Sequence, residues 1–322
     1  EIMVGDWSSD VCSSDLDESV RTVMGIKGEP STPDDPAQGL VWRAIVGQID
    51  QSGSESDFVS VADTARVTFA KHPWSIGGGG AADLKEQIEA DRPTLSSLAD
   101  ELGITSVNGE DEVFVLGNEA NAQRLDIEYT RPLVTGDLVR DWAAETTQAV
   151  WLYDENLSLL SIKSLPKTGR YFWPARTFMS KRKRFGTPML ERGLTWYEYQ
   201  ELYVNKLKTP LSITFAFLAT HNHFVLDRGG KVFKQTAPVI KLPAGSSEDE
   251  YLGLLGLLNS SVACFWMKQV CFNKDGTGEP WEQRREFDST KLKSFPRIEN
   301  LPIDLSIRID SQSRQLSALQ PA

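Results

Sequence analysis

The sequence predicts an α/β (mixed α+β) fold. Three observations carry that reading. Residues 58–69 alternate roughly between apolar and polar and contain Val59, Val61, Val67 and Thr68, as strands do. Residues 211–241 break into short β-rich runs separated by turns. From about Tyr251 a long apolar segment follows three acids, Glu248, Asp249 and Glu250, placed where a helix dipole favours negative charge. At 322 residues, 40% apolar and 25% charged, the chain is long enough for two or three domains. No run reaches the ~18 unbroken apolar residues of a membrane helix. The richest, Tyr251 to Phe272, is interrupted by Asn259, Ser260 and Ser261. Three cysteines exclude a disulfide scaffold and suggest a reducing, cytoplasmic setting with no membrane partner.

In chain order, prolines and acids make 25–38 a loop, and 40–49 reads as a short helix. Helices are expected over 81–90 and 95–102, after the Gly77–Gly80 tetraglycine. A turn at Asn108-Gly109 precedes an expected strand, 112–116. Residues 131–142 read as an extended segment, a Gly136 turn and a short helix capped by Asp137. Residues 150–153 suit a strand. The 211–241 region reads as a meander with strands at 212–217, 224–226, 231–233 and 239–241, turning at 227–230. Residues 303–322 read as a frayed, flexible tail.

Charge is unevenly spread. The net value is -11, but residues 163–208 hold 11 Lys/Arg against 3 Asp/Glu, while residues 1–162 hold 10 against 30. A basic window in an acidic chain marks where a polyanion touches. Its cations include Lys163, Lys167, Arg170, Arg176, Lys181, Arg182, Lys183 and Arg184, with Arg192 beyond. Tyr171, Phe172, Trp173, Phe178, Phe185, Trp196, Tyr197 and Tyr199 lie among them. Cations neutralise phosphates and aromatics stack on bases. The plainer alternative is a solvated basic loop beside core aromatics. The Lys181–Arg184 run is expected in a loop, since four consecutive residues cannot share one face of an element.

Other motifs read as structure. His221 and His223 sit at strand spacing, so both rings face one side. Two imidazoles can hold a metal, but a third ligand must come from elsewhere, and the remaining histidine is His72. Hydrogen-bonded structural histidines, with no metal, are the reading adopted. Cys264 and Cys271, seven apart, read as buried thiols. No Gly-Lys-Ser/Thr follows the tetraglycine, so it reads as a hinge rather than a phosphate loop.

Several segments together resemble a known family. Gly103-Ile-Thr-Ser-Val-Asn-Gly-Glu-Asp-Glu-Val-Phe-Val115 is similar to the glycine-turn-strand segment that opens the target-recognition region of large adenine-specific DNA methyltransferases. Arg131-Pro-Leu-Val-Thr-Gly-Asp-Leu-Val-Arg140 and Leu255-Gly-Leu-Leu-Asn-Ser-Ser-Val-Ala-Cys-Phe-Trp266 resemble later segments of the same enzymes. Residues 72–81 and 219–230 narrow the resemblance to the PglX-type methyltransferases of BREX phage-exclusion systems. The likeness covers roughly 20–300. It implies double-stranded DNA as partner, other phage-defence proteins as further partners, and S-adenosylmethionine as cofactor of the parent enzyme. The chain departs from the family in having no adjacent prolines, hence no Asn-Pro-Pro-Tyr, and no Phe-x-Gly-x-Gly. No catalytic or cofactor-binding residue is therefore expected here, and the chain alone is expected to be inactive. By this resemblance residues 17–72 end a catalytic domain, 73–100 form a hinge and helical connector, and 101–302 form the α+β target-recognition domain. Residues 1–16, with Ser-Ser-Asp-Val closely followed by Ser-Ser-Asp-Leu, resemble a translated sequencing adapter and are expected to be non-native. On that expectation the chain is a C-terminal fragment. A non-enzymatic interaction module of a defence complex is the alternative, and salt-dependent DNA binding by 101–302 discriminates the two.

Overall fold

The computed structural model describes residues 18–70, 74, 80–208, 210–274 and 283–319. Cys12 and the rest of the segment expected to be adapter-derived lie outside the described residues, as do His72 and Gly77–Gly79 of the expected hinge. The chain divides into two compact units, Glu1–Asp91 and Arg92–Ala322. The boundary falls inside the expected 73–100 connector.

In the first unit β1 (Ser19–Gly25) and β2 (Val59–Ala65) pair antiparallel, from Ser19 opposite Ala65 to Gly25 opposite Val59. Val59 and Val61 bury one face of the pair. Residues expected to extend the strand to 69 instead form a 3-10 turn, Arg66–Ala70. Helix α1 (Leu40–Gln48) matches the apolar run that predicted it, yet Leu40, Trp42 and Val46 are exposed. Helix α2 (Ala81–Glu89) begins after Gly80, whose φ of 76° is left-handed and suits glycine.

In the second unit α3 (Leu95–Leu98) is one turn long. The helix expected to reach 102 ends there because β3 (Glu101–Gly103) is recruited as an edge strand. The rest of the unit's first half comprises β4 (Ser106–Val107), α4 (Asp111–Phe114), α5 (Glu119–Arg124), β5 (Thr130–Val134), β6 (Val139–Arg140), β7 (Ala143–Ala144) and β8 (Thr147–Val150). Then come α6 (Pro166–Phe172), α7 (Arg176–Met179), β9 (Lys183–Arg184), β10 (Thr187–Pro188), β11 (Glu201–Leu202), β12 (Ser212–Phe215), β13 (Leu218–Ala219), β14 (Phe224–Asp227), β15 (Val232–Phe233) and β16 (Val239–Lys241). Helices α8 (Glu248–Leu258) and α9 (Ser261–Val270), β17 (Arg285–Glu286), α10 (Ser289–Leu292) and α11 (Ile303–Leu319) complete it.

The main sheet runs β14-β12-β16-β3, all antiparallel. The 211–241 segment is therefore not a plain meander. The glycines at 229 and 230, with φ of 107° and 84°, turn the chain out of the sheet. Strand β15 then joins β5 in parallel, within a sheet ordered β15-β5-β8. The strand expected at 112–116 is largely the helical turn α4, with Asp111 and Glu112 in its first turn. Only its end is extended, where Leu116 N donates to Gln148 O at 2.7 Å. Around Gly136 the chain makes a 3-10 turn with Thr135, not Asp137, at the N-cap, and the expected helix gives way to β6. A Cβ on Gly136 would lie 2.1 Å from the Thr236 carbonyl oxygen. Gly136→Ala is accordingly expected to destabilise the fold by roughly 1–3 kcal/mol, read as a lower urea midpoint with unchanged slope.

The apolar segment after 247 is two helices. Ser247 and Glu250 form a capping box on α8, whose Tyr251, Leu252, Leu254, Leu255, Leu257 and Leu258 are buried. Asn259 ends it. Its side chain accepts from Phe224 N and donates to Phe224 O, clipping the helix end to β14. Ser260 then caps α9. Cys271 is buried, whereas Cys264 is half-buried. The flexible tail expected over 303–322 is, through 319, helix α11. Gly253 and Gly256 open one face of α8 so that Leu301, Ile303 and Ser306 approach it closely. Arg228, beyond β14, bonds Glu248 and Asp310, both at 2.6 Å, tying α11 down. Composition signals a polar end to the chain but carries no signal of this glycine face.

Candidate nucleic-acid interface

The basic window is built on a buried aromatic core. Phe114 lies 4.9 Å from Tyr199 and 5.3 Å from Phe172 between ring centroids, and Trp151 packs against Tyr153 and Tyr199. Burial pushes the Tyr199 phenol far up, so it acts as a donor, to Val150 O at 3.0 Å. Helix α6 starts at Pro166, whose missing N–H suits that position. It buries Thr168 and Phe172 in this core and leaves Lys167 and Arg170 outside. Lys163, in the preceding turn, is exposed too. Lys167 meets Asp126 at 2.8 Å, an exposed pair worth little. Arg176 opens α7 and lies 5.2 Å from the Trp173 ring. Met179 anchors α7 in the core, while Trp173 and Phe178 stay exposed.

The Lys181–Arg184 run is expected as a loop but enters the β9–β10 hairpin, and its side chains alternate. Lys181 and Lys183 are exposed. Arg182 points inward and is 6% exposed. Its guanidinium donates to the carbonyls of Met179, Asn108, Trp196 and Glu198 at 2.6–3.1 Å and lies over the Phe114 ring. Burial lowers its pKa to about 10, so it stays a cation at neutral pH. The reading of Arg182 as a DNA contact is corrected: its guanidinium is directed wholly at groups within the fold. Arg184 is half-buried, 3.5 Å from Glu201, which also takes Arg192 at 2.8 Å. The structure thus sorts the eight candidate cations. Lys163, Lys167, Arg170, Arg176, Lys181 and Lys183 face solvent; Arg184 is partly engaged; Arg182 is interior.

At the hairpin tip sit Phe185 and Gly186, with φ of 50° and 84°. Two left-handed residues make a tight primed turn, a conformation that suits glycine and strains phenylalanine. Phe185 is 90% exposed, with Arg184 over its ring at 4.5 Å. In the sequence Phe185 is one of eight aromatics of the window. The signal that sets it apart is a Phe-Gly pair directly after a basic run.

The likeness that the motifs of residues 72–81, 103–115, 131–140, 219–230 and 255–266 suggested is borne out by comparison with known proteins. The chain is related to the adenine-specific methyltransferases of PglX type. PglX of Streptomyces coelicolor A3(2), an adenine-specific methyltransferase, is 39% identical over 317 residues, 94% of this chain. The chain spans 26% of that protein's length. No family model matches the chain. Among solved structures, the type IIL restriction-modification enzyme MmeI, determined in complex with DNA, aligns with a TM-score of 0.46 at 19% identity. That alignment covers 72% of this chain and 29% of MmeI. The type IIG restriction endonuclease BpuSI aligns with a TM-score of 0.49 at 12% identity, over 92% of this chain and 35% of its own. Among the described residues no helix is long and apolar enough to cross a membrane.

Proposed function

We propose that this chain is the DNA target-recognition part of an S-adenosylmethionine-dependent, site-specific adenine methyltransferase acting in cytoplasmic phage defence. The observation that carries the reading is the 163–185 segment. Six exposed cations alternate there with three exposed aromatics, Trp173, Phe178 and Phe185, in a chain of net charge -11. The relationship to PglX supports it. The cations take the phosphate backbone and set register. Methylating adenine at its exocyclic amine requires the base to leave the stack, so the recognition part must grip a distorted duplex. The cofactor and the transfer step belong to the parent enzyme.

In this reading Phe185 is a wedge. An apolar ring at the tip of a positively charged hairpin fits between base steps, or into the space a flipped base leaves. Stacking carries no counterion release. Phe185→Ala is therefore expected to weaken duplex binding by this chain by roughly 5- to 150-fold, from about 1–3 kcal/mol of stacking removed, with the salt slope unchanged. Fluorescence anisotropy across a salt series measures both. Unaltered affinity would remove Phe185 from the interface. Salt-independent or absent DNA binding by the wild type would sink the whole reading and favour a protein-interaction module, for which exposed aromatics also serve.

A further inference from the structure

His221 and His223 lie in the connection between β13 and β14, with ring centroids 4.1 Å apart. Asn222 between them turns the other way, donating to Leu258 O at 2.6 Å and to Ser260 O at 3.3 Å. That anchor presents both imidazoles to the β6–β7 turn. The turn's two residues, Asp141 and Trp142, have φ of 45° and 71°, a strained pair for residues that carry a Cβ. The turn places the Asp141 carboxylate beside the rings. Its Oδ1 lies 3.4 Å from His223 Nδ1 and 3.9 Å from His221 Nε2. One ligand atom from each of the three residues lies within 4.8 Å of the others.

We propose that Asp141, His221 and His223 bind one zinc-type divalent cation, with water completing a tetrahedral shell. Bonds of roughly 2.0–2.2 Å to nitrogen and oxygen place tetrahedral ligand atoms about 3.3 Å apart; the 3.4 Å from Asp141 to His223 matches this, and the 3.9 Å to His221 closes with a small turn of exposed side chains. The N–H of Asp141 donates to His223 Nδ1 at 3.2 Å, which marks that nitrogen as unprotonated, the state a metal needs. An ion takes over that lone pair from a long hydrogen bond. Two imidazoles select a zinc-like ion over magnesium or calcium, which prefer oxygen throughout. Asp141 is 83% and His221 49% exposed at the side chain, so water reaches the fourth position. Bound there, the ion pins the strained turn to the 220–223 connection. Sequence spacing alone leaves the two histidines without a third ligand; Asp141 supplies it from 80 residues upstream of His221.

The test is calorimetric titration of zinc into the chelator-stripped 322-residue chain, with Asp141→Asn and His221→Gln beside it. Both positions are exposed enough for the variants to fold, which circular dichroism checks. The expected result is saturable binding of one equivalent, weakened at least about tenfold by each substitution. Cobalt should give the visible absorption of tetrahedral coordination in the wild type and lose it in both variants. Absence of saturable zinc binding, or an affinity that either substitution leaves unchanged, overturns the three-ligand site. DNA binding plays no part in this measurement, so its outcome is independent of the reading above.

Discussion

Replacing Lys163, Arg170, Arg176, Lys181 and Lys183 by Gln in this chain is expected to abolish most of the salt dependence of its DNA binding. All five side chains are exposed, and each carries a charge on a stem free to reach a phosphate. Each phosphate left without its cation lowers the slope of log affinity against log salt by about 0.9. With roughly three to five phosphates affected, the slope falls by about 2.7 to 4.5. Between about 50 and 200 mM salt, the affinity of the variant should drop less steeply than that of the wild type, by a factor of roughly 40 to 500. Binding should weaken across all sequences alike, because phosphates carry no base identity. A slope that does not move would make these cations mere solvated surface. A changed base preference at constant slope would mean they read bases instead.

Arg182→Met is expected to act on stability, by about 3 kcal/mol, and not through the charge a ligand sees. The guanidinium satisfies four backbone carbonyls, those of residues 108, 179, 196 and 198, from three separate stretches of chain. Methionine fills similar volume but leaves the carbonyls of Asn108, Trp196 and Glu198 without the guanidinium donor, at about 1 kcal/mol or more each, while Met179 O keeps the Arg182 backbone N–H at 3.3 Å. Relief from burying a cation offsets part of this. Chemical denaturation should show the lower midpoint, while Lys181→Gln, one residue away, should stay within about 0.5 kcal/mol of wild type. Wild-type stability in Arg182→Met, together with weakened DNA binding, would restore Arg182 to the interface. Neutralising the whole 181–184 run is for this reason an uninformative experiment: it mixes a binding effect with an unfolding one.

Much of the local structure is legible in the sequence. Helices α1 and α2 follow from apolar spacing and a glycine start, and β12, β14 and β16 from β-branched and aromatic runs. The Glu248–Glu250 acids mark the start of α8 correctly because capping and dipole effects are local. Departures fall where a partner distant in sequence decides. Residues 101–103 form a strand because β16 offers an edge, overriding helical composition. Strand β15 leaves the expected meander because β5 lies beside it. Helix α11 forms because Gly253 and Gly256 make room for it and Arg228 holds Asp310.

A basic, aromatic window inside an acidic protein, and kinship to a set of enzymes, can be read directly from the order of residues. Charge and motif order are properties of the string and survive any folding. Which members of that window are available is set by how the chain folds in space. Lys181, Arg182, Lys183 and Arg184 are chemically near-equivalent as letters, yet one hairpin turns alternate members in and out. The same holds for Asp141, an ordinary surface acid in sequence, brought to His221 and His223 by a turn between β6 and β7. Burial and convergence depend on residues tens of positions apart meeting in space, and no local pattern encodes them.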